Sequence, residues 1–264
     1  CVGNQSRTTD AGECNRTATA GEFDLTGASD NCGVTDTTYQ LAGATIAGPI
    51  SARTLNGVNF NTGVTTVTWR VYDGQGNVNS CSFTVTVTDN ENPTLTCVAN
   101  QTRTTDAGEC NRTATAGEFD LTGASDNCGV TDTTYQLTGA TIAGPISART
   151  LNGINFNTGV TTVTWRVYDA QANVNSCSFT VTVTDNENPT LTCVANQSRT
   201  TDAGECNRTA VGGEFDITGA SDNCGVTDTT YQLTGATIAG PISARTLNGI
   251  NFNTGVTTVT WRVY

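Results

Sequence analysis

The chain contains no histidine and no methionine, and all twelve of its basic residues are arginine, so lysine is absent as well. Without His or Lys the commonest general bases and all Schiff-base chemistry are missing, and so are lysine–asparagine isopeptide cross-links. No phosphate-binding glycine loop stands between a strand and a helix. Carboxylate pairs such as Glu118 and Asp120 read as solvated groups on an acidic surface, and the chain is expected not to be an enzyme. Aromatics are sparse at 6%. No run of about 18 apolar residues exists, so no segment reads as a membrane span. Basic side chains are outnumbered by 24 acidic ones, a net charge of −12. Affinity for nucleic acid and for anionic lipid rests on cationic side chains, so both are excluded as partners.

What is present is repetition. Cys1, Cys97 and Cys193 are equivalent, as are Trp69, Trp165 and Trp261, each set spaced by 96 residues. Solenoid repeats run about 20–45 residues and cannot stand alone, whereas 96 residues suit a domain with its own core. The first two copies differ at Gly3/Ala99, Ser6/Thr102, Ala42/Thr138, Val58/Ile154, Gly74/Ala170 and Gly76/Ala172. Most of these are changes of one methyl, which a packed core absorbs. Three units are expected, at 1–92, 93–188 and 189–264. Both end units are incomplete, so the chain reads as a stretch of a longer array.

The best strands lie at Thr161–Tyr168 and Ser178–Thr184, where β-branched residues alternate with period two. Thr161, Val163, Trp165 and Val167 share one face, and the tryptophan marks it as the core face. Arg166 and Tyr168 lie on the other face, where arginine–tyrosine contacts are expected. Further strands fall at Thr94–Val98, Gln101–Thr105, Cys110–Thr115 with Glu118–Leu121, and Val130–Leu137. Two more short ones lie within Gly139–Asn157, and a dense turn sits at Ser125–Gly129. Seven or so short strands per unit and no helical period give an all-β fold of antiparallel sandwiches in tandem. The linkers Asp89–Pro93 and Asp185–Pro189 are short and proline-stiffened.

The order PTLTC, a second Cys after twelve intervening residues, SDNCG, GVTTVTW and CSFTVTVTDNENPTLTC resembles the hyalin repeat (HYR) family over all three units. The resemblance implies an immunoglobulin-like sandwich, tandem on secreted and cell-surface proteins, with bacterial members in very long surface proteins of Bacteroidetes-like organisms. Two departures stand out. Val2, Val98 and Val194 occupy a position where the family commonly has proline, and Gly139–Asn157 is longer than usual.

Eleven cysteines at regular spacing read as a disulfide framework and so as an oxidising, extracellular compartment. Zinc sites need closer Cys spacing and usually His. Four cysteines per unit allow three connectivities. In the immunoglobulin-like sandwich, the turn after the second strand and the turn before the last lie at one pole. That implies Cys128–Cys177 and Cys32–Cys81, and leaves Cys97–Cys110, Cys1–Cys14 and Cys193–Cys206.

Two further sets of residues are candidates. Asp89, Asn90 and Glu91, with the equivalent Asp185 and Glu187, form acidic linkers like those between cadherin domains. With Asp126 and Asp169 from the following unit they could supply oxygens to a structural Ca²⁺ at each joint, although Asp and Asn are also ordinary turn formers. Asn15, Asn111 and Asn207 fit the N-glycosylation pattern, and Thr37, Thr133 and Thr229 follow Asp as in bacterial O-glycosylation. The functional expectation is an extracellular, disulfide-stapled filament whose partners are other copies of itself. The alternative is an adhesin stalk or a module binding a cell-surface glycan or protein, with Tyr135 and Phe156 in its surface.

Overall fold

The computed structural model describes residues 1–264 and contains strands and no helix. In the first unit the strands are β1 (Gln5–Thr8), β2 (Asn15–Thr17), β3 (Val34–Gly43), β4 (Ala47–Ser51), β5 (Asn59–Asn61), β6 (Gly63–Asp73) and β7 (Val78–Thr88). They form a five-stranded sheet in the order β1-β7-β6-β3-β4 and a small β2-β5 pair. All pairings in the large sheet are antiparallel except that of β1 with β7, which is parallel and joins Gln5 to Val85. The second unit repeats this register, with Gln101 opposite Val181. It adds a pair between Thr94–Thr96 and Gly123–Ser125.

The alternation read from the sequence sets the core. Thr161, Val163, Trp165 and Val167 are all fully buried, and the intervening Thr162, Thr164, Arg166 and Tyr168 are half-exposed. Trp165 meets Tyr135 edge to face at 5.6 Å, and Phe119 meets Phe156 in the same way at 5.1 Å; such pairs add about 1 kcal/mol to the area they bury. Three separate hydrophobic clusters follow one another along the chain, built on Trp69, Trp165 and Trp261. Gly139 holds the bend between two strands at φ +105°, where an added Cβ would meet the Val160 carbonyl; only glycine suits that conformation and that approach.

Each unit is also tied by an ion chain. Arg103 Nε donates to Glu118 at 2.7 Å, and Arg112 bridges Glu118 and Asp106 at 3.1 and 3.0 Å. Burial raises the Glu118 pKa, but hydrogen bonds from the Thr115 amide, Arg103 and Arg112 outweigh it and hold the group down to about 2. Glu22 and Glu214 are lowered for the same reasons. The expected solvated Glu118 is therefore a part-buried anchor, its side chain 8% exposed. Cation–π contacts also fall elsewhere than expected. Arg7, Arg103 and Arg199 lie over Phe23, Phe119 and Phe215, while Arg166 donates to Gln136 Oε1. The segment Glu118–Leu121 is not a strand. Its Asp120 instead caps the loop through Leu151 N at 2.7 Å.

Candidate functional site: the joint between units

The cysteine connectivity differs from the expected one. The bonds are Cys1–Cys81, Cys97–Cys177, Cys14–Cys128 and Cys110–Cys224, and Cys32, Cys193 and Cys206 are free. The parallel edge strand explains the first pair. Gln5 faces Val85, so four residues upstream Cys1 faces Cys81, and their Cα atoms are 5.9 Å apart. Cys14 cannot join Cys1, because β1 carries the chain away to the opposite pole, where Thr9 N donates to Thr88 O at 3.1 Å. There it meets the turn of the next unit, and Cys14 bonds Cys128 with Cα atoms 4.7 Å apart. The same bond recurs from Cys110 to Cys224, at 4.6 Å. Each unit is thus bonded to its successor. Sequence spacing within one unit could not show this, since the 114-residue separation exists only across a joint.

Around the Cys14–Cys128 bond, asparagines of the second unit donate hydrogen bonds to the first unit and to the linker. Asn127 Nδ2 donates to Glu13 O at 2.9 Å and to Asp89 Oδ1 at 3.1 Å. Asn173 Nδ2 donates to Asp89 O at 3.2 Å, and Asn175 Nδ2 to Pro93 O at 2.9 Å. The linker is pinned from behind as well, because Glu91 accepts from Gly12 N at 2.9 Å. At the second joint Asn223 donates to Glu109 O and Asp185, and Glu187 accepts from Gly108 N. Proline, asparagine and aspartate here make the linker a fixed ledge.

Of the seven acidic and amide residues considered for a cation, the structure gathers Asp89, Asp126 and Asp169. One carboxylate oxygen of each lies within 4.8 Å of the others. Asp89 and Asp169 are both 4% exposed. Oδ1 of Asp89 takes Thr9 Oγ1 and the Glu91 amide, Oδ1 of Asp126 takes the Cys128 amide, and Oδ1 of Asp169 takes the Gln171 and Asn173 amides. Oδ2 of Asp89 and Oδ2 of Asp126 are buried with no hydrogen-bond partner, as is Asn127 Oδ1. No arginine forms an ion pair with any of the three carboxylates. At separations of up to 4.8 Å, each pair repels by roughly 3 kcal/mol at an effective dielectric constant of about 20. Anionic oxygens from both sides of a joint, uncompensated by any cation of the chain, suit a hard divalent ion. Asn90 is exposed, and Glu91 and Glu187 are engaged by backbone amides, so these three stand outside the cluster. Asp185 lies in an exposed linker, its pKa lowered by the Glu187 amide and by Asn223.

The remaining candidates are placed as follows. Thr37, Thr133 and Thr229 are buried at 3%, 3% and 2% exposure with unpartnered hydroxyls, which corrects their reading as surface acceptors. Asn15, Asn111 and Asn207 are half-exposed. Tyr135 and Phe156 are core residues rather than a binding surface, at 3% and 0% exposure. The exposed large hydrophobic side chains of the long middle stretch are Ile142 and Ile146.

These observations define a tandem array of immunoglobulin-like all-β sandwiches joined through specific poles. The HYR domain family matches residues 1–87 and 88–183, and the chain belongs to that family. Hyalin of Strongylocentrotus purpuratus is 31% identical over 182 residues, which is 67% of this chain and 14% of hyalin. The chain therefore spans about a seventh of that relative's length. Among solved structures, the first four cadherin domains of protocadherin gamma B7 match at 11% identity with a TM-score of 0.34, covering 99% of this chain and 73% of that one. The fibronectin(III)-like modules of Clostridium thermocellum CbhA match at 14% identity and 0.28, covering 70% and 91%.

Proposed function

We propose that this chain is part of an extracellular structural array, in which HYR units at 1–92, 93–188 and 189–264 form a stiff, covalently stapled filament. The observation that carries the reading is the joint. A repeated disulfide, a proline-fixed linker and a carboxylate cluster all connect one unit to the next, where a flexible string would have an unattached linker. A joint that repeats the same geometry turns units into a filament, since head-to-tail contacts that do not close give helical growth. Disulfides and HYR membership both favour an extracellular setting. No helix is long and apolar enough to cross a membrane.

The cluster of Asp89, Asp126 and Asp169 is the place for a structural Ca²⁺. Three carboxylates supply part of the six to eight oxygens that this ion takes, with water and nearby carbonyls completing the shell. Asn15, Asn111 and Asn207, which are half-exposed, are the positions proposed for a glycan. Electron cryo-microscopy of a multi-unit chain, with Ca²⁺ and with chelator, tests the reading. Straight filaments with the unit repeat in Ca²⁺ support it; bending strings under both conditions leave only a stalk that presents some other adhesive domain.

A further inference from the structure

In every unit one edge of the large sheet carries an apolar strip. β4 (Ala47–Ser51) and its counterparts Ala143–Ser147 and Ala239–Ser243 bond a strand on one side only. The proline within each is tolerated at an edge and hinders the addition of a further strand. Ile142, one residue ahead of that edge, is 81% exposed, and Ile146 within it is 42% exposed. Ile46 and Ile238 are each 82% exposed, and Ile50 and Ile242 each 41%. The second unit is bonded to a neighbour at both poles, and its isoleucines are as exposed as those of the other two. The turn that presents Ile142 is fixed. The Thr141 amide donates to Thr161 Oγ1 at 3.0 Å, Thr141 Oγ1 accepts from the Asn157 amide at 2.8 Å, and Asn157 Nδ2 donates to Ala140 O at 3.1 Å. The same three bonds hold the turns at Thr45 and Thr237.

Charge selects what can lie against this strip. Between Asp132 and Asp169 the second unit has no carboxylate, and its charged side chains there are Arg149 and Arg166. Arg149 lies three residues past Ile146, is exposed and forms no ion pair, and the same holds for Arg53 and Arg245. At the border of the strip Asp132 accepts from Ser147 Oγ of the edge strand, as Asp36 does from Ser51 and Asp228 from Ser243. On a chain of net charge −12, a strip free of carboxylates is where two copies can approach without mutual repulsion. Each copy brings one unpaired cation and one bordering anion beside its isoleucines, which makes the strip complementary to itself.

We infer that this strip is a lateral contact between two copies of the array. The copies lie edge to edge, the isoleucines of one against those of the other, with Arg149 of each toward Asp132 of its neighbour. One strip is small beside the roughly 1,200 Å² that a stable interface buries, so a single pair of units does not hold. A neighbour with the same 96-residue period engages more than one strip at once, and the second contact forms at high effective concentration. That addition of contacts rests on the stiff-array reading above, whereas the strip itself does not.

The test is sedimentation velocity of the 264-residue chain over a wide concentration range, with the free Cys32, Cys193 and Cys206 alkylated so that no new disulfide joins two chains. The expected result is reversible self-association of the parent. The variant carrying Ile46→Ser, Ile142→Ser and Ile238→Ser should associate at least about tenfold more weakly at an unchanged thermal midpoint, because these side chains are exposed in the single chain. The variant carrying Arg53→Glu, Arg149→Glu and Arg245→Glu should also weaken it. A parent that stays monomeric at every concentration would overturn the contact and leave the strip to a partner of another kind. Isoleucine variants that associate as tightly as the parent would overturn it as well, and arginine variants that do so would overturn the edge-to-edge orientation. Electron microscopy of a multi-unit chain separates this contact from the stiff array. Parent filaments that pair, beside single straight filaments of the isoleucine variant, support both; bent strings that still pair through the isoleucines would keep the strip and overturn the stiff array.

Discussion

Protonating Glu118 breaks an ion chain that reaches from Arg103 through Arg112 to Asp106. Its folded pKa of about 2 lies below the ordinary 4.5, so its stabilisation is fully present above about pH 4.5 and is lost as pH falls through about 2. The shift corresponds to on the order of 3 kcal/mol. We expect Glu118→Gln to lower stability at pH 7 by a similar amount and to flatten the acid limb of the second unit's unfolding, measured by urea titration from pH 7 to 2. An unchanged acid limb would remove the chain from the account. Asp89→Asn should behave in the opposite sense in the absence of metal. It relieves repulsion among three close carboxylates, so with chelator the joint should be as stable as in the parent or more so. In Ca²⁺ the variant should lose the rise in thermal midpoint that binding to the folded state confers on the parent. Calorimetry under both conditions reads both signs. An equal Ca²⁺ response in parent and variant would place the ion elsewhere.

Among the elements, those with strict alternation were readable and those defined by long-range register were not. The strands at Thr161–Tyr168 and Ser178–Thr184 occur slightly extended, as Gly159–Asp169 and Val174–Thr184, and the tryptophan face is the core face. Period two and β-branching are local properties, so the sequence displays them directly. The short edge strand Gln101–Thr104 was legible as a strand, but its parallel partner 80 residues away was not. That pairing alone decides which cysteine meets Cys97. Removing the Cys97–Cys177 bond by double serine substitution should lower the unit's stability by about 2–5 kcal/mol. Removing Cys14–Cys128 should leave each unit's hydrogen-exchange protection intact and raise exchange only at the linker Asp89–Pro93. Uniform loss of protection in that variant would contradict the division into joint bonds and unit bonds. Gly139→Ala forces a side chain into the Val160 carbonyl at a positive φ, and should cost about 1–3 kcal/mol by chemical denaturation. A neutral substitution there would show that the bend relaxes freely.

At the scale of the whole molecule, the repeat period and family pattern displayed the array, while the nature of its connections lay in contacts that form only between units. Asp89 belongs in sequence to one unit and in space to the pole of the next, where it meets Asp126 and Asp169. Acidic linkers hinted at that cluster, because Asp and Asn concentrate there. The ion chain on Glu118 gave no such hint, since its members are scattered among ordinary turns. If the joints are locked, small-angle scattering of the oxidised chain in Ca²⁺ should give a single extended maximum dimension. Reduction together with chelation should broaden that distribution and shorten its mean.

The most direct measurement is peptide mapping by mass spectrometry of the non-reduced, alkylated protein. The account predicts cross-linked peptides joining Cys14 to Cys128 and Cys110 to Cys224, beside Cys1–Cys81 and Cys97–Cys177. Finding Cys14 and Cys110 bonded within their own units, to Cys1 and Cys97 or to Cys32 and Cys128, would contradict it, because no covalent bond would then cross a joint.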